Sequence, residues 1–169
     1  SSAMSNNVNL EDIKIRTELL AGDIGYIIYM HGHLYQKEYG YGIQFDIYVA
    51  MGLIEFFKSY DSNKDGVWIC EHNNKIIGSL LLVHRDETAQ LRYFILDPEY
   101  RGIGLGKKLM NLYMNFLKDR NYKSSFLWTT HELSTAANLY TRYGFKLTEE
   151  KKSDSFGKSL IEQRYDLLL

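Results

Sequence analysis

The chain has one cysteine, one proline and no long apolar run in 169 residues, and its charges nearly cancel. Each shortage narrows the possibilities. A lone Cys70 forms no internal disulfide, which fits a reducing, cytoplasmic setting. Twenty Lys+Arg against 21 Asp+Glu give a net charge of -1, so there is no electrostatic case for nucleic acid, whose non-specific binding draws on a concentrated basic patch. The apolar runs Ile76-Ile77 and Leu80 to Val83 fall far short of the roughly 20 residues that span a bilayer. With no leader-like segment either, neither a membrane nor secretion is expected. No CxxC or HxxxH spacing points to a metal, and His31 and His33, two apart on a helix, face different ways.

What is plentiful is core material: 45% of residues are apolar and 14% aromatic, enough for one domain over residues 4–169. Ser1-Ser2-Ala3 before Met4 has the character of an expression scar. Residues 12 to 17 alternate with period two and predict a strand. Gly22-Asp23 breaks that pattern, with Asp23 as the expected helix N-cap, and Ile24, Ile27, Ile28, His31, Leu34 and Tyr35 then recur at helical spacing. A second helix takes in Phe45, Tyr48, Val49, Gly52, Leu53, Phe56 and Phe57. Val67 to Glu71 and Lys75 to His84 read as a hairpin about Asn73-Asn74, and Ala89 to Leu96 as the next strand. Pro98 ends it, having no N–H for a sheet ladder.

The stretch LRYFILDPEYRGIGLGKKL, Leu91 to Leu109, joins that strand to a helix through Arg101-Gly102-Ile103-Gly104-Leu105-Gly106. The first turn of a helix carries four N–H groups without internal partners and about half a positive charge. Glycines let a phosphate reach those groups, and Arg101 and Lys107 place cations on either side, so the stretch reads as a pyrophosphate cradle. A P-loop fits poorly: Gly102 to Gly106 is one residue short of its spacing, and Lys108 follows Lys107 where a hydroxyl is needed. A dinucleotide fingerprint fits no better, since the turn is GxGxG and the next strand ends in Thr129-Thr130 rather than an acid.

Arg-x-x-Gly-x-Gly after a strand and a proline turn resembles the acyl-CoA loop of the GNAT superfamily of N-acetyltransferases. The segment Ala136-Ala137-Asn138-Leu139-Tyr140-Thr141-Arg142-Tyr143-Gly144-Phe145 resembles its second signature. The resemblance runs from about Ile13 to Leu168 and implies an α/β (α+β) fold, with a mixed sheet of about six to seven strands and flanking helices. Leu105, Leu109, Leu112 and Phe116 are expected along the buried face of the helix after the loop, Ser125 to Thr130 as a strand parallel to Leu91 to Leu96, and Ser134 to Tyr143 as a helix stopped by Gly144. Two strands, Phe145 to Lys151 and Leu160 to Leu168, finish the chain. The segments Leu34 to Gly40, Leu127 to Thr130, Phe156-Gly157 and Glu162 to Tyr165 further resemble the acetyltransferase half of proteins that join a MarR-type DNA-binding domain to a GNAT domain. No such domain is read in this sequence, so any DNA role is expected from another chain.

The resemblance implies acetyl-CoA as co-substrate, no metal, and transfer to a primary amine of a small molecule or peptide. Leu91 to Leu96 and Ser125 to Thr130 would splay to hold the pantetheine arm, with main-chain groups near Phe94 and Leu96 binding the arm and thioester carbonyl. The backbone of Arg101, Gly102, Ile103, Gly104, Leu105, Gly106 and Lys107 would bind the pyrophosphate. Tyr140 matches the position of the family's general acid, and Asn138 is a candidate contact to pantetheine; Leu133 stands where the family often keeps an asparagine. Glu38, Glu132 and His131 are candidates for the base that takes the amine proton. Tyr35, Glu38, Tyr39 and Thr130 are candidates to read the acceptor, and the family's habits allow a homodimer. Two rival readings are a non-catalytic acyl-CoA sensor, which would keep the cradle without acceptor chemistry, and a nucleotide-binding regulatory domain.

Overall fold

The computed structural model describes residues 8–169; the Ser1-Ser2-Ala3 segment lies outside the described residues. The first strand, β1 (Lys14–Arg16), is shorter than the alternation predicts, because Leu10–Asp12 turn as a 3-10 helix in which the Asn9 N–H donates to the Asp12 carboxylate (3.0 Å). Helices α1 (Asp23–Tyr39) and α2 (Ile43–Lys58) follow, then β2 (Gly66–His72), β3 (Lys75–Arg85) and β4 (Thr88–Leu96) as an antiparallel meander. After the glycine loop come α3 (Leu105–Asp119), β5 (Ser124–Thr130), α4 (Ser134–Arg142), β6 (Lys146–Ser153) and β7 (Leu160–Leu168). The strands form one seven-stranded sheet in the order β1-β2-β3-β4-β5-β7-β6. No described helix is long and apolar enough to cross a membrane.

Helices cover both faces of the sheet. On one, Leu105, Leu109, Met110, Tyr113 and Leu117 of α3 and Tyr140 of α4 pack on Cys70, Leu80, Leu82, Ala89 and Leu91. The face that α3 buries is rotated from the expected one: Leu112 and Phe116 are only half-buried at its edge, while Met110 and Tyr113 are fully enclosed. On the other face, Ile27 of α1 and Phe45, Val49, Leu53 and Phe56 of α2 pack on Val67, Ile69, Leu81, Val83 and Tyr93. The outer side of α2 leaves Ile43, Ile47, Met51 and Ile54 exposed.

Asp23 is not the N-cap of α1. Gly22 takes that place at φ +94°, and the Asp23 carboxylate instead turns back, accepting from the Leu20 N–H (2.6 Å) and from the Arg16 guanidinium (2.6 Å). Both side chains are nearly enclosed, at 10% and 6% exposure, so the pair fastens the helix start to β1. The hairpin about Asn73 and Asn74 forms with both residues at positive φ (51° and 62°), as side chains of this type tolerate.

Candidate active site

Strands β4 and β5 run parallel, as the strand-helix-strand connection requires, but pair only from Thr88↔Ser124 to Gln90↔Phe126. From Leu91 onward they separate, and a cleft opens between them. It is lined by β4 (Gln90 to Phe94), by β5 (Trp128, Thr129, Thr130), by Glu162 of β7 and by Tyr140, and roofed by side chains of α1 and α2 with Phe156.

A bulge in β4 shapes the floor. The register with β3 passes from Leu81↔Arg92 to Ser79↔Ile95, so two β4 residues stand against Leu80 alone. Tyr93 absorbs the irregularity at φ +57°, and its carbonyl accepts from the buried Ser79 hydroxyl (2.7 Å). As a result Ala89 and Leu91 before the bulge and Phe94 and Leu96 after it face α3, while Tyr93 packs toward α1 and α2. The sequence carries the sign of this: the apolar spacing of two slips to three between Leu91 and Phe94.

At the mouth of the cleft lies the loop before α3. Gly104 caps the helix at φ +89° and Gly102 stands at φ +81°, conformations that would strain any side-chain-bearing residue. No acidic residue occupies the first turn, and Lys107 and Lys108 on it are exposed, so the N–H groups of the turn and two ammonium groups are available to an anion. Arg101 departs from its expected part. Its guanidinium forks onto Glu38 (2.7 and 2.9 Å) and reaches the Leu96 carbonyl (3.3 Å), joining the end of α1 to the loop.

Tyr140 sits at 5% exposure against Phe94, Phe145 and Tyr165, and lines the cleft. Burial pushes its phenol above the ordinary value and keeps it protonated. Thr130 is also on the cleft wall, its hydroxyl paired with that of Tyr41 (2.7 Å). Tyr35 lines the roof, stacked on Phe45 at 4.8 Å, and burial raises its pKa as well. Tyr39 lies outside the lining; its carbonyl accepts from Lys158 (2.7 Å). Asn138 is exposed on α4, away from the cleft.

None of the expected bases lines the cleft. Glu38 is taken by Arg101. Glu132 is held by Lys158 (2.7 Å), although its second oxygen is buried without a partner near Tyr41, whose pKa its charge helps raise. His131 closes the end of the β5–β7 ladder, accepting from the Ile161 N–H at Nδ1 (3.1 Å), and belongs to a separate recess with Lys152, Ser153 and Leu160. His31 and His33 diverge as expected, His33 stacking on Tyr29 (5.4 Å) while His31 points inward.

Two charged lining residues were not legible as such. Arg92 and Glu162 sat in ordinary strand sequence, where the bulge and the β5–β7 register decide which way they point. His31 donates from Nδ1 to the Ile27 carbonyl (2.8 Å); burial pushes its pKa down to about 4, assisted by the positive charge of Arg92, so the ring is neutral. Phe156 owes its position to Gly42 and Gly157: the Gly42 N–H donates to the Phe156 carbonyl (2.8 Å), and a Cβ on Gly157, already at φ +84°, would come within 3.2 Å of the Gly42 backbone. That contact lays the β6–β7 loop on the α1–α2 turn.

Comparison with known proteins agrees with this geometry. Residues 30–145 match the acetyltransferase (GNAT) family. An N-acetyltransferase of Methanocaldococcus jannaschii is 30% identical over 97 residues, 53% of this chain and 43% of that protein, so the chain matches less than half the length of that relative. Among solved structures, an acetyltransferase from Streptococcus agalactiae superposes with a TM-score of 0.76 at 25% identity, covering 95% of this chain and 100% of that one. A spermidine N-acetyltransferase from Vibrio cholerae, solved with CoA and spermine, superposes with a TM-score of 0.68 at 19% identity, covering 94% and 96%. A splayed parallel pair, a glycine loop opening onto a bare helix start and a family match over most of the chain lead to one conclusion: this chain belongs to the GNAT acetyltransferase family.

Proposed function

We propose that the protein transfers an acetyl group from acetyl-CoA to a primary amine within the β4–β5 cleft. The observation that carries the reading is the continuity of three parts: the anion-ready loop before α3, the unpaired edge of β4 beyond Gln90, and the protonated Tyr140 beside Phe94. The pyrophosphate would rest on the backbone of residues 101–107 with Lys107 and Lys108 beside it. The pantetheine arm would take the place of a strand along Leu91 to Leu96, where β4 amides could bind the thioester carbonyl.

In the transfer, the amine nitrogen attacks the thioester carbon, and the carbonyl becomes an oxyanion. Collapse breaks the C–S bond, and the thiolate takes the Tyr140 phenol proton. The ammonium sheds two protons on the way to the neutral amide: one goes to a base and on to solvent, and the other restores the Tyr140 phenol. Glu162 takes the part of the base because it faces the cleft and makes no ion pair among the described residues, whereas Glu38 and Glu132 already do. Cytoplasmic residence belongs to the same proposal and accords with Cys70, buried and with its thiol pushed up to about 12 by desolvation.

The test is release of free CoA thiol against a panel of amines, with Tyr140→Phe beside the wild type. General-acid catalysis is worth about 100- to 10,000-fold, so kcat should fall by at least about 100-fold while acetyl-CoA affinity holds. Unchanged kcat would remove Tyr140 from the chemistry, and binding without turnover of any amine would favour the sensor alternative.

A further inference from the structure

Two charged residues line the cleft, and they have opposite signs and stand on different strands: Arg92 on β4 and Glu162 on β7. Resting on the transfer reading above, we propose that the acceptor is an amine that also carries a carboxylate, which Arg92 binds.

Arg92 is half-buried, yet no carboxylate of the described residues comes within ion-pair distance of it. The other arginines of comparable burial do have one: Arg16 has Asp23, and Arg164 has Asp166. Arg92 instead lies over the Tyr93 ring (4.7 Å) and beside the Tyr48 ring (5.4 Å), and no side-chain hydrogen bond to a described residue ties it down. Gly52 of α2 makes room for it, since a Cβ there would come within 2.8 Å of Nη2. Withdrawing a guanidinium from water without a counter-anion is costly, and the cost is recovered when an anion arrives. The planar fork presents parallel donors that match a carboxylate.

No described neighbour pairs with Arg92; Glu55, the α2 carboxylate whose charge reaches Tyr93, is paired with Arg85 (3.7 Å). His31 across from it is neutral, and burial raises the phenols of Tyr35 and Tyr93 so that both keep their protons. Glu162 on the far wall is suited to the ammonium end of the same molecule. A polyamine would find a single acid in this cleft and a repelling cation opposite it. The remaining lining, Tyr41, Phe45, Trp128 and Phe156 among it, suits an apolar or aromatic body. The acceptor class is therefore a zwitterionic amino acid, or a conjugate of one, with a free amine and an apolar side chain.

The experiment compares phenylalanine, phenylalanine amide, phenethylamine and spermidine as acceptors at saturating acetyl-CoA, in wild type and Arg92→Gln. A charge-assisted hydrogen-bonded pair should give phenylalanine a kcat/KM advantage of about 10- to 100-fold over the two analogues that lack a carboxylate. In Arg92→Gln that ratio should collapse toward one, a change that mere loosening of the fold would not produce. Equal use of acid and amide by the wild type, or preference for spermidine, overturns the proposal. Turnover of no amine overturns the transfer reading instead. Carboxylate recognition is then read by calorimetric binding of N-acetylphenylalanine against N-acetylphenethylamine to the CoA complex, where equal affinities refute it.

Discussion

Acid should weaken this fold through His31. The ring is buried in the roof of the cleft between Ile27, Tyr35, Tyr93 and the nearby charge of Arg92, and it holds its single bond to the Ile27 carbonyl without a positive charge. In the unfolded chain the imidazole takes up a proton near 6.5; in the folded protein burial defers this to about 4. A histidine with a depressed folded value contributes stability that is complete above the unfolded value and is lost as pH falls toward the folded one. The slope approaches about 1.4 kcal/mol per pH unit, so the interval amounts to roughly 3 kcal/mol. Below pH 4 the folded protein takes the proton too and the loss levels off. Urea unfolding from pH 7.5 to 4 should show this fall in wild type. His31→Gln, which keeps a donor for Ile27, should remove most of it, leaving the carboxylate contribution common to both. Parallel curves for the two proteins would refute a neutral, desolvated His31.

Four further outcomes follow from the same geometry. Gly104→Val forces a β-branched residue to φ +89° at the start of α3 and should weaken acetyl-CoA binding at least tenfold, about 1.4 kcal/mol, by calorimetry. Glu162→Gln should lower kcat by about 100-fold or more. Glu38→Gln should change it less than about threefold, as suits a half-exposed pair with Arg101 worth under about 1 kcal/mol; the reverse order would return the base to Glu38. Arg16→Ala strands the Asp23 carboxylate at 6% exposure and should cost about 3–5 kcal/mol in denaturant unfolding, and a loss under about 1 kcal/mol would show the pair to be incidental.

Much of the frame could be read from local rules. The period-two runs, the Asn73-Asn74 turn and the helix stop at Gly144 each depend on a few adjacent residues, and the sheet follows from them. The conformation of the glycine loop was legible for the same reason, because it depends on consecutive residues, with Gly102 and Gly104 at positive φ before the helix start. What escaped depends on contacts far apart in sequence. Arg101 and Glu38, 63 residues apart, were read as phosphate cation and catalytic base, but they neutralise one another. Lys158 similarly claims Glu132. Arg92 enters the cleft through a bulge whose sign in the sequence, a one-residue slip in apolar spacing, is easily passed over. Glu162 faces it through the register of β7 on β5, pairing with Thr130.

The most direct test is a calorimetric titration of the wild-type protein with acetyl-CoA, followed in the same sample by an amine panel with detection of free thiol. The account predicts one saturable acetyl-CoA site and thiol release that requires both an amine and Tyr140. No binding at millimolar acetyl-CoA would contradict the cradle at Gly102 to Lys107, and the proposed chemistry would fall with it.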